Sequence, residues 1–145
     1  MHRILVIDDD KSVGTAIRTV LEHDGYEVAL VHDGRGGIAA AEPGQFDVVI
    51  VDIFMPGMDG LETIRHILHQ APLIPIIAIS GFTFRGPSDA TPDFLRMAAK
   101  LGATHTLQKP FRPNDLLNAV ESCLSQSIRI PRTPAIASIA GGSRK

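Results

Sequence analysis

Val48-Val49-Ile50-Val51-Asp52-Ile53-Phe54-Met55-Pro56-Gly57-Met58-Asp59-Gly60-Leu61-Glu62 reads as a strand, a break and a helix start in immediate succession. The run Val48–Val51, with no polar residue in it, suits a parallel strand buried on both faces. Pro56 and Gly57 then break the chain, which predicts that Asp52 stands at an exposed strand end. Asp59-Gly60-Leu61-Glu62 is a capping box with Asp59 as the N-cap, a structural role. The helix it opens carries Leu61, Ile64 and Leu68 on one face.

The same unit recurs along the chain. Further strand-like runs are Ile4–Ile7, Val28–Val31, Ile74–Ile79 and the weaker Thr104–Leu107. Helical faces are formed by Val13, Ile17, Val20 and Leu21, and by Leu116, Leu117, Val120, Cys123 and Leu124. Gly34–Ala41 is a short Ala-rich helix. Phe94–Leu101 is another, expected to start at Asp93 behind Pro92 and to end at Gly102. A βα unit repeated five times implies an α/β fold: one doubly wound, five-stranded parallel sheet with helices on both faces and right-handed crossovers. Two stretches break the rhythm. Gly81–Pro92 is a long, turn-rich connection of the kind that carries function or motion. Ser125–Lys145 has no apolar period, so the domain is read as residues 1–124, followed by a disordered basic tail over 125–145.

Composition bounds the possibilities. At 145 residues the chain suits one domain that buries a core without disulfides or a structural metal. No apolar run approaches the roughly 20 residues that span a bilayer. Ile4–Ile7 is too short for a secretory leader, and the lone Cys123 fits a reducing compartment, so a cytoplasmic protein without membrane insertion is expected. The first 124 residues hold all 16 acids against 10 Lys and Arg, and the remainder holds four cations and no acid. An acidic body argues against nucleic acid as a partner, because binding a phosphate backbone needs clustered cations.

In open α/β sheets, sites form at the carboxyl ends of the strands. Asp8, Asp9 and Asp10 follow the first strand, Asp52 the third, Ser80 the fourth and Lys109 the fifth. Asp10 is read as the cap of the helix over Ser12–His23. If these strands are neighbours, the remaining groups converge. Carboxylates gathered in one pocket repel each other and call for a counter-charge. Mg²⁺, a hard cation held by one or two carboxylates with water and phosphate oxygens, supplies it. With the ammonium of Lys109 and the hydroxyl of Ser80, the set suits phosphoryl transfer, in which a carboxylate can serve as nucleophile.

Ile4-Leu5-Val6-Ile7-Asp8-Asp9, Asp52-Ile53-Phe54-Met55-Pro56-Gly57-Met58-Asp59-Gly60 and Lys109-Pro110-Phe111 resemble the signature segments of response-regulator receiver domains, in order and spacing over residues 2–124. The resemblance implies a flavodoxin-like fold and a stand-alone module of two-component signalling, similar to the single-domain chemotaxis regulators. It implies Asp52 as phosphoacceptor, with Mg²⁺ bound by Asp9, Asp52 and the backbone carbonyl of Phe54, and by Asp8 through water. Ser80 and Lys109 would contact the phosphoryl oxygens, and Lys109-Pro110 would be cis. Gly81 is expected to leave room beside the phosphoryl group. The donor would be a histidine kinase or histidine phosphotransfer protein, and the output altered binding to a downstream protein, since no output domain follows Leu124. Such a domain is its own substrate rather than an enzyme in the usual sense.

Two features depart from the family pattern. Thr106, flanked by His105, stands where receivers usually carry Tyr or Phe. The interval from Ser80 to Lys109 is also longer than usual, with the surplus in Gly81–Pro92. Phe82 or Phe84 from that loop is expected to take over from the missing aromatic.

Other readings were weighed on the residues. Asp8-x-Asp10-x-Ser12 resembles the nucleophile motif of haloacid-dehalogenase-type Mg²⁺-dependent phosphatases, with Asp8 as nucleophile and Asp10 as acid/base. That reading leaves the Asp52 segment unexplained and lacks a late acidic pair and a cap. A receiver fold used as a phosphorylation-independent binding module is a third reading. Glu62, His66 and His69 form a helical stripe opposite Leu61, Ile64 and Leu68, which suits a solvated face. Gly34-Arg35-Gly36-Gly37 lacks the Lys-Ser/Thr of a nucleotide-binding loop.

Overall fold

The computed structural model describes residues 1–55, 57–81 and 90–129, without the side chains of 90–93 and 126–129. Five strands alternate with five helices: β1 (Arg3–Ile7), α1 (Lys11–His23), β2 (Glu27–Val31), α2 (Gly34–Ala40), β3 (Val48–Asp52), α3 (Gly60–Gln70), β4 (Ile76–Ser80), α4 (Ala90–Leu101), β5 (His105–Gln108) and α5 (Pro113–Arg129). The strands form one parallel sheet in the order β2-β1-β3-β4-β5. The doubly wound five-stranded architecture is therefore the one read from the sequence.

The unbroken apolar runs are explained by two cores. Side chains alternate across a strand. Ile4, Val6, Val48, Ile50, Ile77 and Ile79 face one way, onto Ile17 and Leu21 of α1 and Leu116, Val120 and Cys123 of α5. Leu5, Ile7, Val49, Val51, Ile76 and Ala78 face the other way, onto Ile64 and Ile67 of α3 and Ala98 of α4. Full burial of each branched side chain is worth about 1.5–3 kcal/mol over exposure, so a polar residue at either parity of β1 or β3 would break one core.

The helix starts follow the sequence signals. Asp10 caps α1 by accepting from the amides of Ser12 and Val13, Asp33 caps α2 by accepting from Gly36, and Asp59 caps α3 by accepting from Glu62.

Three boundaries move by two residues or more from the reading above. β4 begins at Ile76, because Pro75 precedes it and Ile74 is held in a turn by its amide bond to the Ala71 carbonyl. α4 begins at Ala90, three residues before Asp93. Pro92 falls in its first turn, where a missing N–H breaks no helical bond. α5 runs to Arg129, so its last turn lies beyond Leu124, the last apolar position of the pattern, and the helix crosses the expected start of the tail. Residues 130–145 lie outside the described residues, as do 82–89 with Phe82 and Phe84. Among the described residues, no helix is long and apolar enough to cross a membrane.

Candidate functional site

The strand order makes β1, β3, β4 and β5 successive neighbours, and their carboxyl ends bring Asp8, Asp9, Asp52, Ser80 and Lys109 together. The register pairs Asp52 with Ile79 and Ser80 with Gln108. The amide of Lys109 donates to the Ser80 carbonyl at 2.8 Å, which ties the end of β5 to the end of β4. The Lys109–Pro110 bond is cis.

Asp8 is fully buried and held on three sides. Its amide donates to Val31 carbonyl oxygen at 3.1 Å, its Oδ1 accepts from the Asp10 amide at 2.9 Å, and its Oδ2 lies 3.3 Å from Lys109 Nζ. Asp52 Oδ1 accepts from the Phe54 amide at 3.2 Å, and its Oδ2 is 3.7 Å from the same ammonium. Asp52 is only 4% exposed, so the open strand end expected from Pro56-Gly57 is instead a pocket floor. The start of α3 helps to close it. Gly60 donates to the Ile53 carbonyl at 2.8 Å, and a Cβ on Gly60 would run into the Asp52 carbonyl oxygen and Ile53 Cα.

The charges do not balance. Burial pushes the Asp52 carboxyl up from 3.8 to about 7, and the neighbouring Asp8 charge adds to the rise. Lys109 and the Phe54 amide oppose it. Asp8, Asp9 and Asp52 each bring a carboxylate oxygen within 4.8 Å of the others, with Asp9 on the exposed side. Three carboxylates against one ammonium, all hard oxygen donors, fit a small divalent cation such as Mg²⁺. Ser80 Oγ is buried, with no hydrogen-bond partner among the described residues. An unpaired buried hydroxyl costs about 1–3 kcal/mol, which a ligand oxygen would recover.

The structure gathers the residues read as a site and leaves the others apart. Asp10 and Asp59 are spent as helix caps. Glu62 and His66 form a half-exposed pair at 3.8 Å. Cys123 is buried in the core, and burial pushes its thiol up to about 11. At Gly81 a Cβ would press on Lys109 Cδ at 3.1 Å, so the missing side chain clears the stem of the lysine. Thr106 lies in β5 opposite Ala78, and His105 Nε2 meets Ser122 Oγ of α5 at 3.0 Å. His32, which directly follows β2, was missed. Its Nδ1 lies 3.3 Å from the Asp8 carbonyl oxygen, and the strand-end rule that selected the other groups selects it as well.

Comparison with known proteins points one way. A family profile described as "Response regulator receiver domain" matches residues 4–121. The transcriptional regulatory protein PcoR of Escherichia coli is 30% identical over 127 residues, which are 88% of this chain and 53% of that protein. The alkaline phosphatase synthesis transcriptional regulatory protein PhoP of Bacillus subtilis is 30% identical over 86% of this chain and 49% of its own length. The chain thus spans about half the length of these relatives. Among solved structures, chemotaxis protein CheY4 of Vibrio cholerae superposes with a TM-score of 0.73 at 32% identity, covering 86% of this chain and 99% of that one. A CheY-like receiver domain protein from Methanospirillum hungatei gives a TM-score of 0.78 at 26% identity, covering 89% and 98%.

Proposed function

This chain belongs to the response regulator receiver family of two-component systems, and from that premise we propose that Asp52 accepts a phosphoryl group from a phosphohistidine donor. One observation carries the reading: among the described residues, Asp8, Asp9 and Asp52 share a pocket with a single ammonium, at 3.3 and 3.7 Å from the buried pair, beside an unpartnered buried hydroxyl. A pocket with surplus negative charge, one fixed cation and a spare donor suits a phosphoryl group bound together with a divalent metal.

Receiver domains bind Mg²⁺ at an acidic pocket. Here Asp9, Asp52 and the Phe54 carbonyl would hold it directly, and Asp8 through water. When bound, Mg²⁺ neutralises the carboxylates and the charge on the phosphoryl oxygens. A carboxylate oxygen of Asp52 attacks phosphorus. The P–O bond forms as the P–N bond to the donor imidazole breaks, and the released imidazole takes a proton. Lys109 holds its charge against the phosphoryl oxygens, and Ser80 donates its hydroxyl to one of them. Water later cleaves the acyl phosphate to return Asp52 and inorganic phosphate, so the domain turns over only itself. Asp10 is unsuited to the acid/base role of the phosphatase reading, because its carboxylate is occupied by two α1 amides.

Receiver domains interact with histidine kinases and downstream effectors. For this chain the partners are a histidine kinase or phosphotransfer protein on the input side and a protein target on the output side, in the cytoplasm. Its acidic body is unsuited to direct contact with nucleic acid.

Incubation with acetyl phosphate and Mg²⁺, followed by mass spectrometry, should place one hydroxylamine-sensitive phosphoryl group on Asp52, absent in Asp52→Asn. A label on Asp8, with turnover of a generic phosphate ester, would overturn the reading in favour of a phosphatase.

A further inference from the structure

Phe54 is tied to the site at one end and to a helix at the other. Its amide donates to Asp52 Oδ1 at 3.2 Å. Its ring meets Phe94 of α4 edge-on, with centroids 5.0 Å apart and planes at 80°. Phe54 is 43% exposed, and among the described residues Phe94 is the aromatic side chain that meets its ring. Phe94 has firmer footing, packed against the core between the sheet and α3 and α4. The edge-to-face geometry is the favoured one for aromatic pairs. Thr106 on β5, opposite the small Ala78, contributes no ring of its own.

We propose that Phe94 is a positioning residue for the phosphoacceptor site, acting through the Phe54 ring, and that this pair is the link by which α4 and the state of Asp52 sense each other. The inference rests on the reading of Asp52 given above. Fixing the ring fixes the backbone of residue 54, and with it the amide that holds one Asp52 oxygen. When a phosphoryl group takes up an oxygen of Asp52, that amide bond must adjust, and the ring carries the adjustment to Phe94. Met97 and Leu101 on the exposed side of α4 then present a changed surface. Coupling is reciprocal, so a partner that grips α4 also changes the affinity at Asp52.

The test uses beryllofluoride with Mg²⁺ as the phosphoryl probe. Binding is followed by the ¹⁹F resonance of the bound probe, and α4 by amide exchange. Phe94→Ala should weaken probe binding about three- to tenfold, the range an aromatic pair supports. Phe94→Tyr, which keeps a ring, should restore it, and Phe94→Leu, apolar without a ring, should not. Phe54→Ala, at the exposed partner, should abolish the probe-induced change in α4 protection. In that background Phe94→Ala should have no further effect on affinity. Unchanged affinity in Phe94→Ala, full recovery by Phe94→Leu, or additive effects in the double variant would each overturn the proposal. Failure of the wild-type protein to bind the probe would instead remove the phosphoacceptor reading on which it rests, and the proposal with it.

Discussion

Replacing Asp52 with Asn removes the charge that the pocket tolerates least, and in metal-free protein this should stabilise the fold. The carboxyl is pushed from 3.8 to about 7, chiefly by burial and then by Asp8. About three pKa units correspond to a ceiling of about 4 kcal/mol held against the ionised form. That value already includes the opposing pull of Lys109 at 3.7 Å, and water entering the metal-free site reduces the ceiling further. A net gain of about 2 kcal/mol is expected. The native state binds the Asp52 proton more tightly than the unfolded chain does. Wild-type stability therefore falls as pH rises from about 4 to about 7 and then levels off. The advantage of Asn should be full near pH 8 and vanish below about pH 4. Urea unfolding followed by circular dichroism, in EDTA across that range, measures it. Excess Mg²⁺ near pH 8 should then narrow or reverse the gap, since a ligand that binds only the native state stabilises wild type alone. An Asn variant that is less stable than wild type near pH 8 in EDTA, or a gap that widens toward acid, would refute the account of the pocket.

Further outcomes are expected elsewhere. Asp9→Ala should abolish Mg²⁺ binding and phosphorylation together while changing stability by no more than about 0.5 kcal/mol, because Asp9 is exposed; calorimetric titration with Mg²⁺ and a denaturant curve separate the two effects. Gly60→Ala drives a methyl into the backbone of Asp52 and Ile53 and should cost about 1–3 kcal/mol in the same denaturation assay, with slower phosphorylation as β3 shifts. A chain ending at Arg129 should keep its thermal midpoint, whereas one ending at Leu124 loses the last turn of α5 and should melt a few degrees lower; equal midpoints would show that this turn adds nothing to the body.

The fold was legible because its strands are short and unmixed. Val48–Val51 has no polar residue at either parity, which only a strand between two cores requires, and Asp10 and Asp59 mark helix starts by a local rule. The site was legible through strand ends alone: Asp8, Asp9, Asp52, Ser80 and Lys109 each follow or close a strand, and only the strand order was needed to gather them. What the sequence could not convey depends on distant neighbours. Asp52 is buried and Asp9 exposed because of what packs over them, including Gly60 of α3, and nothing in the local sequence separates two aspartates at strand ends. The close approach of Gly81 to Lys109 lies beyond the local sequence, since Lys109 is remote in the chain and its stem comes close only in the folded sheet. The ends of α4 and α5 were misjudged where polar residues or a proline interrupt the apolar period without interrupting the helix.

The strand order also bears on how the molecule assembles. β1 pairs with both β2 and β3, so a three-stranded sheet is available from the first 52 residues, and β4 and β5 then add in turn to one open edge. Short loops between early contacts favour nucleation in that N-terminal part, during synthesis as well as in refolding. Asp8 and Asp52 belong to this early part, and Lys109 directly follows the last strand. An intermediate lacking β5 would hold two facing carboxylates with no ammonium between them. The final strand therefore delivers the charge that quiets the site along with its share of the core, and the rate of its docking should fall when divalent metal or acid has already neutralised the carboxylates that attract Lys109.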